Sequence, residues 1–199
     1  MPTEAIQAIL ASGKYEGLLQ ACEELEFQCA EAPPNLSNPL EPLYTIQLAA
    51  YLIEHDLCSA RFFWKRCPRQ AKSSNAEFTA LWAVGQAMWK RDYAEIYNSL
   101  SRYQWSPTVD PLAKALRDSV RWRNFHLISR SFTSISVTDA GMFLGLSPAE
   151  SIDWCTQQSW QLDHSGSFLT IVQPKPSTAQ KTDIQNFKRL TEYVMYLEH

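Results

Sequence analysis

Apolar residues recur at intervals of three and four along most of the first 130 residues of the chain. The series Leu18, Cys22, Leu25 and Cys29 steps by 4, 3 and 4, which is the spacing of one helix face. The same pattern predicts helices over residues 3–12, 14–30, 42–54, 57–66, 76–89, 93–100 and 110–132, with loops at 32–39 and 72–75. Short amphipathic helices joined by short turns stack into an α-solenoid or a bundle. The chain is therefore predicted to be mainly α, with antiparallel helical repeats over residues 1–125.

The pattern changes after residue 132, where β-branched residues interrupt the helical spacing. Thr133–Val137 is rich in such residues and predicts one strand. Thr138 and Asp139 offer an N-cap for a short helix, and Gly145 is suited to end it, because glycine adopts the left-handed conformation at little cost. The long preceding helix is thus predicted to lead into a strand and then a short helix.

A second short helix and a hairpin are predicted to follow. Ser147 and Glu150 have the spacing of a capping box, which starts a helix that runs to about residue 158. Two short apolar runs, 160–162 and 168–172, flank a five-residue polar turn and predict a β-hairpin. Helix, strand, helix, tight turn, helix and hairpin is the order of a winged helix, so residues 126–173 are predicted to form one.

The end of the chain is predicted to be a linker followed by one helix. Residues 174–182 contain two prolines and are assigned to the linker, and the helix is predicted over 183–199. Its narrow apolar stripe has the steps 3, 3, 4 and 3 and consists of Ile184, Phe187, Leu190, Val194 and Leu197. Such a stripe is typical of a seam between helices. The helix can fold back on its own domain or dock with helices of other chains, and the spacing leaves both open.

Charge argues against DNA binding by the predicted winged helix. Between Arg130 and Lys175 the chain has no Lys or Arg and four acids, so its charge is 0 − 4 = −4 with His164 neutral. The four acids are Asp139, Glu150, Asp153 and Asp163. An element that binds in a DNA groove needs basic side chains to displace counterions from phosphates. The hairpin and the apolar faces of this part are therefore expected to contact protein.

The basic part of the chain is the long helix before it, with Arg117, Arg121, Arg123 and Arg130. These arginines can form a solvated face, pair with nearby acids, or contact RNA. No aromatic stacking platform of a known pattern accompanies them, which favours the first two interpretations.

The composition is that of a globular protein without a targeting segment. The chain has 199 residues, is 45% apolar and 20% charged, and carries a net charge of −3, which provides no general attraction to nucleic acid or anionic membrane. No apolar run approaches the roughly 20 residues that span a bilayer. The first residues lack the features of a signal peptide. The sequence thus predicts a soluble intracellular protein that does not contact a membrane.

No catalytic motif is found. Phosphate-binding and dinucleotide-binding glycine motifs and H-E-x-x-H are absent, and the four histidines are scattered singly. The five cysteines form no C-x-x-C pair and are predicted to be buried free thiols. Cys155 and His164 could form a thiol pair, but a cysteine on the apolar side of a short helix is more often core. The sequence therefore predicts no enzyme activity, no cofactor and no metal site. The acids Glu23, Glu24 and Glu26 are assigned to a solvated helix surface.

Helical repeats, an acidic winged helix and a terminal helix, in this order, resemble a PCI domain, the module shared by the proteasome lid, the COP9 signalosome and translation initiation factor 3. Particular segments are similar to the signalosome subunit 8 family. Residues 59–68 resemble its S-A-R-[FY]-L-W-K-x-I-P segment, with Cys67 in place of the isoleucine, and residues 82–92 resemble W-x-[VI]-G-Q-x-x-W-x-x-D. The ending, residues 189–199, is similar to the family's terminus, particularly in plant members. The resemblance covers nearly the whole chain.

The resemblance implies a non-catalytic scaffold subunit of an eight-subunit complex that removes the ubiquitin-like protein Nedd8 from cullins and so regulates cullin-RING ubiquitin ligases. It implies the other signalosome subunits as partners, with subunit 3 as the nearest neighbour, a shared bundle of C-terminal helices, and a location in the nucleus and the cytoplasm. The isopeptidase of that complex is another subunit, a zinc enzyme with an H-x-H motif that this chain lacks. The alternatives are the equivalent small PCI subunit of the proteasome lid or of initiation factor 3, and, less favoured, a nucleic-acid-binding winged-helix protein.

Two surfaces are expected to contact partners. The first is the stripe of the last helix, which consists of Ile184, Phe187, Leu190, Val194 and Leu197. The second is the last strand of the hairpin, since an open sheet edge can be extended by a neighbouring chain. Its residues are Phe168, Thr170 and Val172.

Overall fold

The structure, a computed structural model of the chain, describes residues 10, 15, 17–30, 41–163, 166–171 and 180–198. The elements in this part of the chain are mainly helical, as predicted. They are α1 (Leu18–Ala30), α2 (Glu41–Glu54), α3 (Leu57–Arg66), α4 (Arg69–Ser74), α5 (Ala76–Lys90), α6 (Tyr93–Arg102), α7 (Asp110–Ser131), β1 (Ser134–Ser136), α8 (Val137–Leu144), α9 (Pro148–Gln157), β2 (Gln161–Leu162), β3 (Phe168–Thr170) and α10 (Gln180–Leu197). The loop predicted over residues 32–39 and, apart from Leu10, the helix predicted over 3–12 lie outside the described residues.

Helix α2 lies at the centre of the helical-repeat part. All residues from 43 to 52 are buried, because α1, α3, α5 and α7 pack around them. Two of these residues are polar, and each has a partner. Asn75 Nδ2 donates to Thr45 Oγ1 at 3.0 Å. Gln47 Nε2 donates to Glu26 Oε2 at 2.8 Å. These bonds offset the desolvation of the Thr45 hydroxyl and of the Gln47 Nε2 group, whereas Gln47 Oε1 is buried without a hydrogen-bond partner among the described residues.

Carboxylates of α1 connect it to the two helices that follow. Glu26 Oε2 also accepts from Arg66 Nη2 of α3 at 2.6 Å, and Glu23 Oε1 accepts from the Tyr51 hydroxyl of α2 at 2.7 Å. Glu26 is half-buried, so its assignment to a solvated surface is wrong, whereas Glu23 and Glu24 are exposed as expected. The partners of Glu23 and Glu26 lie 28 and 40 residues further along the chain, out of reach of a local sequence pattern.

The polar link predicted at residues 72–75 is mostly helical. Its first three residues end α4, and Asn75 caps α5 by accepting from the Phe78 N–H at 3.0 Å. Ser73 and Ser74 are exposed, and polar side chains can be exposed on a helix as well as in a loop. Ala71, which is buried, anchors this turn of helix to the core.

Helix α7 belongs to two hydrophobic cores. Leu112, Leu116 and Val120 contribute to the core of the helical repeats, whereas Phe125 and Ile128 contribute to a second core beneath the sheet. The change lies close to the boundary that the sequence suggested at residue 125, but the helix continues through it without a break. A helix of 22 residues is about 33 Å long, so one element carries both parts along a common axis.

The second core is covered by a small antiparallel sheet with the strand order β1-β3-β2. Leu169 of β3 lies opposite Ile135 of β1 and Leu162 of β2. Leu169 and Ile135 are buried, and Trp160 packs into the same core. The order α7-β1-α8-α9-β2-β3 agrees with the predicted winged helix.

Local side-chain and glycine caps set the ends of the short helices. Ser147 and Glu150 form the predicted capping box at the start of α9. Gly145 ends α8 in the left-handed conformation, with φ +64°, also as predicted.

The N-cap of α8 differs from the prediction. It is Ser136, whose Oγ accepts from the Asp139 N–H at 3.1 Å, and not Thr138 or Asp139. The strand was predicted to extend to Val137 because that residue is β-branched, but Val137 is the first residue of the helix. Burial of its side chain in the second core outweighs its strand propensity.

Helix α10 begins at Gln180, three residues before the predicted start. The linker predicted over residues 174–182 is therefore wrong for its last three residues, and residues 172–179 lie outside the described part. With 18 residues the helix is about 27 Å long.

Candidate protein-interaction surfaces

The winged helix is held on the helical repeats through the C-terminal end of α8. The carbonyl of Phe143 accepts from the Tyr97 hydroxyl at 3.1 Å and from Asn124 Nδ2 at 2.7 Å. The next carbonyl, that of Leu144, accepts from Arg121 Nε at 3.0 Å. The last carbonyls of a helix have no partner within it, so these three side chains complete the end of α8. Burial raises the pKa of Tyr97 to about 12, which keeps its hydroxyl protonated as a donor.

The predicted contact strand β3 has no open edge. It lies between β1 and β2 and is paired on both sides, so the expectation that a neighbour extends it is wrong. The free edges of this sheet belong to β1 and β2. Phe168 and Thr170 nevertheless point away from the core, and Phe168 is 50% exposed. A role for these two residues in a contact through the outer face of the sheet stays a prediction, and Val172 lies outside the described residues.

The stripe of α10 is exposed. The exposed fractions are 71% for Phe187, 58% for Leu190, 52% for Val194 and 83% for Leu197. Ile184 lies within the helix, but its side chain is outside the described part of the structure. At 100° per residue the four described side chains fall within one quarter of the helix circumference, and Lys188 and Glu192 fall on the opposite side. The periodicity that predicted an amphipathic helix is therefore present as a continuous apolar surface.

The size of this surface sets the free energy that its burial contributes to association with a partner. Burial of one such side chain contributes about 1.5–3 kcal/mol, so four contribute about 6–12 kcal/mol before any cost is subtracted. Association of two proteins costs an estimated 4–15 kcal/mol or more. The free energy from burial of the stripe alone is thus of the order needed to offset the cost of association. A stable contact therefore needs additional area, from further helices or from a second surface.

A cleft between the helical repeats and α7 was not predicted. It has a volume of about 600 Å³ and is lined by basic and apolar side chains. The basic residues are His55, Arg91, Arg123, His126 and Arg130. Two of the four arginines of α7 thus face this cleft, whereas Arg121 bonds to Leu144 and lies 3.6 Å from Asp118. The sequence indicated the basic character of α7 but gave no sign that residues of other helices join it.

The three buried cysteines of the described part have no feature of a nucleophile. Cys22, Cys67 and Cys155 are buried, and burial raises their pKa to about 12, about 11 and about 12 respectively. A thiol with a raised pKa stays protonated and unreactive at neutral pH. Cys155 is therefore a core residue, and His164, its suggested partner, lies outside the described residues. Cys58 is exposed, contrary to the prediction of buried thiols.

Among the described residues no three His, Cys, Asp or Glu side chains are grouped so as to hold a metal ion. None of the described helices is both long and apolar enough to span a membrane.

Comparison with known proteins agrees with the resemblance noted in the sequence. The profile of the CSN8/PSMD8/EIF3K family matches residues 40–182. The chain is 39% identical to COP9 signalosome complex subunit 8 of Xenopus tropicalis, over 93% of this chain and 94% of that protein. It is 37% identical to the Danio rerio protein of the same name over 88% and 92%. The Arabidopsis thaliana protein of that name is 29% identical over the full length of both chains. The chain therefore belongs to the CSN8/PSMD8/EIF3K family, within the branch of the COP9 signalosome complex subunit 8 proteins.

Proposed function

We propose that this chain is a non-catalytic scaffold subunit of the COP9 signalosome, and that its terminal helix α10 anchors it in the complex. The observation that carries the proposal is the exposed apolar stripe formed by Phe187, Leu190, Val194 and Leu197, each more than half exposed. Exposure of an apolar surface of this extent to water is unfavourable, and burial of the surface against other helices removes this cost in free energy.

The relatives support the identity of the assembly. Proteins that match nearly the whole chain are named as subunit 8 of this complex. The family resemblance implies that the assembly removes Nedd8 from cullins and thereby regulates cullin-RING ubiquitin ligases. In this proposal α10 enters a bundle of C-terminal helices, subunit 3 is the nearest neighbour, and the chain is present in the nucleus and the cytoplasm.

The outer face of the sheet is proposed as the second contact. Phe168 and Thr170 lie on this face, opposite Ser136 and Ser134 of β1. A face with one exposed aromatic among polar side chains resembles the arrangement of protein interfaces, in which an aromatic residue is surrounded by a polar rim. The negative charge of the winged helix, 0 − 4 between Arg130 and Lys175, disfavours nucleic acid at the same place.

The test is affinity purification of the tagged chain from its own cells, followed by mass spectrometry and an assay for removal of Nedd8 from a cullin. The expected result is recovery of the other signalosome subunits in equal amounts, with activity in the assembly and none in the isolated chain. Recovery of proteasome-lid or initiation-factor subunits would assign the chain to a different complex. Recovery of the chain alone, or with nucleic acid, would contradict the proposal.

A further inference from the structure

The basic cleft is built from three separate stretches of the chain. Arg123, His126, Leu127 and Arg130 have the spacing i, i+3, i+4 and i+7 and share one face of α7. His55 comes from the turn between α2 and α3, and Arg91 from the turn between α5 and α6. Among the described residues, none that lines the cleft carries a carboxylate. Of the acids adjacent to these turns, Asp56 and Asp92 instead cap α3 and α6 by accepting from Ser59 N and Glu95 N.

The two turns repeat one geometry, and each places a basic residue where glycine is favoured. His55 has φ +63° and Arg91 has φ +59°. In both turns the following Asp N–H returns to a carbonyl five residues back, from Asp56 to Tyr51 at 2.9 Å and from Asp92 to Ala87 at 3.0 Å. A helix that ends in this way usually has glycine at the left-handed position, because a Cβ there is strained. A non-glycine residue in such a position is uncommon and points to a use for its side chain.

The arginines of the cleft have no acidic partner within the part of the chain that the structure describes. No ion pair there joins Arg91, Arg123 or Arg130 to a carboxylate. The Nδ1 atom of His55 is buried without a hydrogen-bond partner. Positive charge gathered in a concave site, without internal compensation, attracts an anionic group from outside.

The walls of the cleft distinguish among anions. Trp89 and Leu127 are 51% and 52% exposed, and Tyr93 and Ile96 contribute further apolar surface. A free phosphate has no group to bury against them. A peptide with carboxylates on either side of one bulky apolar side chain satisfies both the arginines and the exposed tryptophan, and Trp and Arg are the residues enriched at the energetic centres of protein interfaces.

We propose that this cleft binds an acidic peptide segment of a partner protein, with Arg91, Arg123 and Arg130 holding its carboxylates and with one apolar side chain of the peptide packed on Trp89 and Leu127.

The first test is a titration of the full chain with a fluorescein-labelled heptapeptide of three acidic residues, one Phe and three acidic residues, followed by fluorescence anisotropy. The cleft variant is Arg123→Glu with Arg130→Glu. The control is Arg69→Glu with Arg102→Glu, two exposed arginines outside the cleft. Each double variant changes the net charge from −3 to −3 − 4 = −7. The affinity is expected to fall at least about tenfold in the cleft variant and to change less than about twofold in the control.

A second variant separates binding from folding. Arg91→Gly removes the charge and relieves the left-handed strain, so its melting temperature is expected to rise while its affinity for the peptide falls. Ser159→Gly, at the other non-glycine position with positive φ among the described residues, is the control and should keep its affinity. The titration uses the chain alone, so its result is independent of assembly through α10.

Four outcomes would overturn the proposal. They are the absence of measurable binding to the wild-type chain, equal losses in the cleft variant and its charge-matched control, unchanged affinity in Arg91→Gly, and equally tight binding of the peptide when its Phe is replaced by Gly. In the last case, competition by inositol hexakisphosphate or polyuridylate would identify a general polyanion site.

Discussion

The ring of Tyr97 lies against the backbone of Gly145, where the helical repeats meet the winged helix. A Cβ added to Gly145 would lie 2.5 Å from Cδ1 and Cδ2 of that ring, and the residue already has φ +64°. Gly145 therefore meets two requirements, a left-handed backbone and the absence of a side chain beneath Tyr97.

Replacement of Gly145 by Ala should destabilise the fold by more than the backbone strain alone. The left-handed conformation costs a non-glycine residue about 1–2 kcal/mol, and overpacking against the ring adds about 1–3 kcal/mol. Gly166→Ala is the matched control, because Gly166 has φ +69° but nothing within 4 Å of the added Cβ. Urea unfolding monitored by circular dichroism measures both. Equal losses of unfolding free energy in the two variants would show that the ring of Tyr97 moves away from the added Cβ without destabilising the fold.

The carbonyl of Phe143 should couple Tyr97 and Asn124 energetically. Each donates a hydrogen bond to it, and either single variant, Tyr97→Phe or Asn124→Ala, leaves the other donor in place. The double variant leaves this carbonyl without either donor, so its loss of unfolding free energy should exceed the sum of the single losses by about 0.5–1 kcal/mol. The control cycle pairs Tyr97→Phe with Ser129→Ala, whose hydroxyl donates to a different carbonyl, that of Phe125, and should be additive. An additive result in the first cycle would mean that water replaces the lost donors.

Acidic substitutions in the stripe of α10 should prevent assembly without unfolding the chain. Leu190→Asp with Val194→Asp places two charges on side chains that are exposed in the isolated chain, so the melting temperature is expected to stay within a few degrees, as for surface changes in general. Burial of the same charges in a helix bundle is strongly unfavourable. Lys188→Asp changes the net charge by the same −2 on the opposite side of the helix and is the control. Co-purification with the other subunits is the readout, and undiminished recovery of the double variant would exclude α10 as the anchor.

His55 should make stability depend on pH near neutrality. Burial, followed by the charges of Arg123 and Arg91, lowers the pKa of His55 below its ordinary value of 6.5. The unfolded chain therefore binds this proton more readily than the folded chain, and protonation favours unfolding. The stability that neutral His55 contributes is expected to be lost as the pH falls through 6.5 toward the lower pKa of this residue in the folded state.

The comparison for this effect is His55→Asn, because asparagine tolerates the left-handed conformation and does not titrate. Urea unfolding at pH 7.5 and pH 5.5 should show a larger loss of unfolding free energy in the wild-type chain than in this variant. The same loss in both would mean that His55 is protonated equally in the folded and unfolded chains.

Short-range sequence patterns were sufficient to predict most of the helices and strands. The capping box at Ser147 and Glu150 and the stop at Gly145 depend on residues within one helical turn, so they were readable from the sequence. The errors occurred where competing local signals were similar in strength. Val137 is β-branched yet helical, and the polar residues 72–74 are helical because Ala71 reaches the core.

Periodicity, caps and composition are properties of neighbouring residues, so they were enough to predict most of the helices, the order of the winged helix, its acidic charge and the apolar stripe of α10. Long-range packing makes β3 the central strand, brings Glu26 to Arg66, and places Arg91 and Arg123 in one cleft. Each of these depends on residues brought together from distant parts of the chain, and their contact is set by the packing of helices around α2 and along α7, which no local pattern encodes.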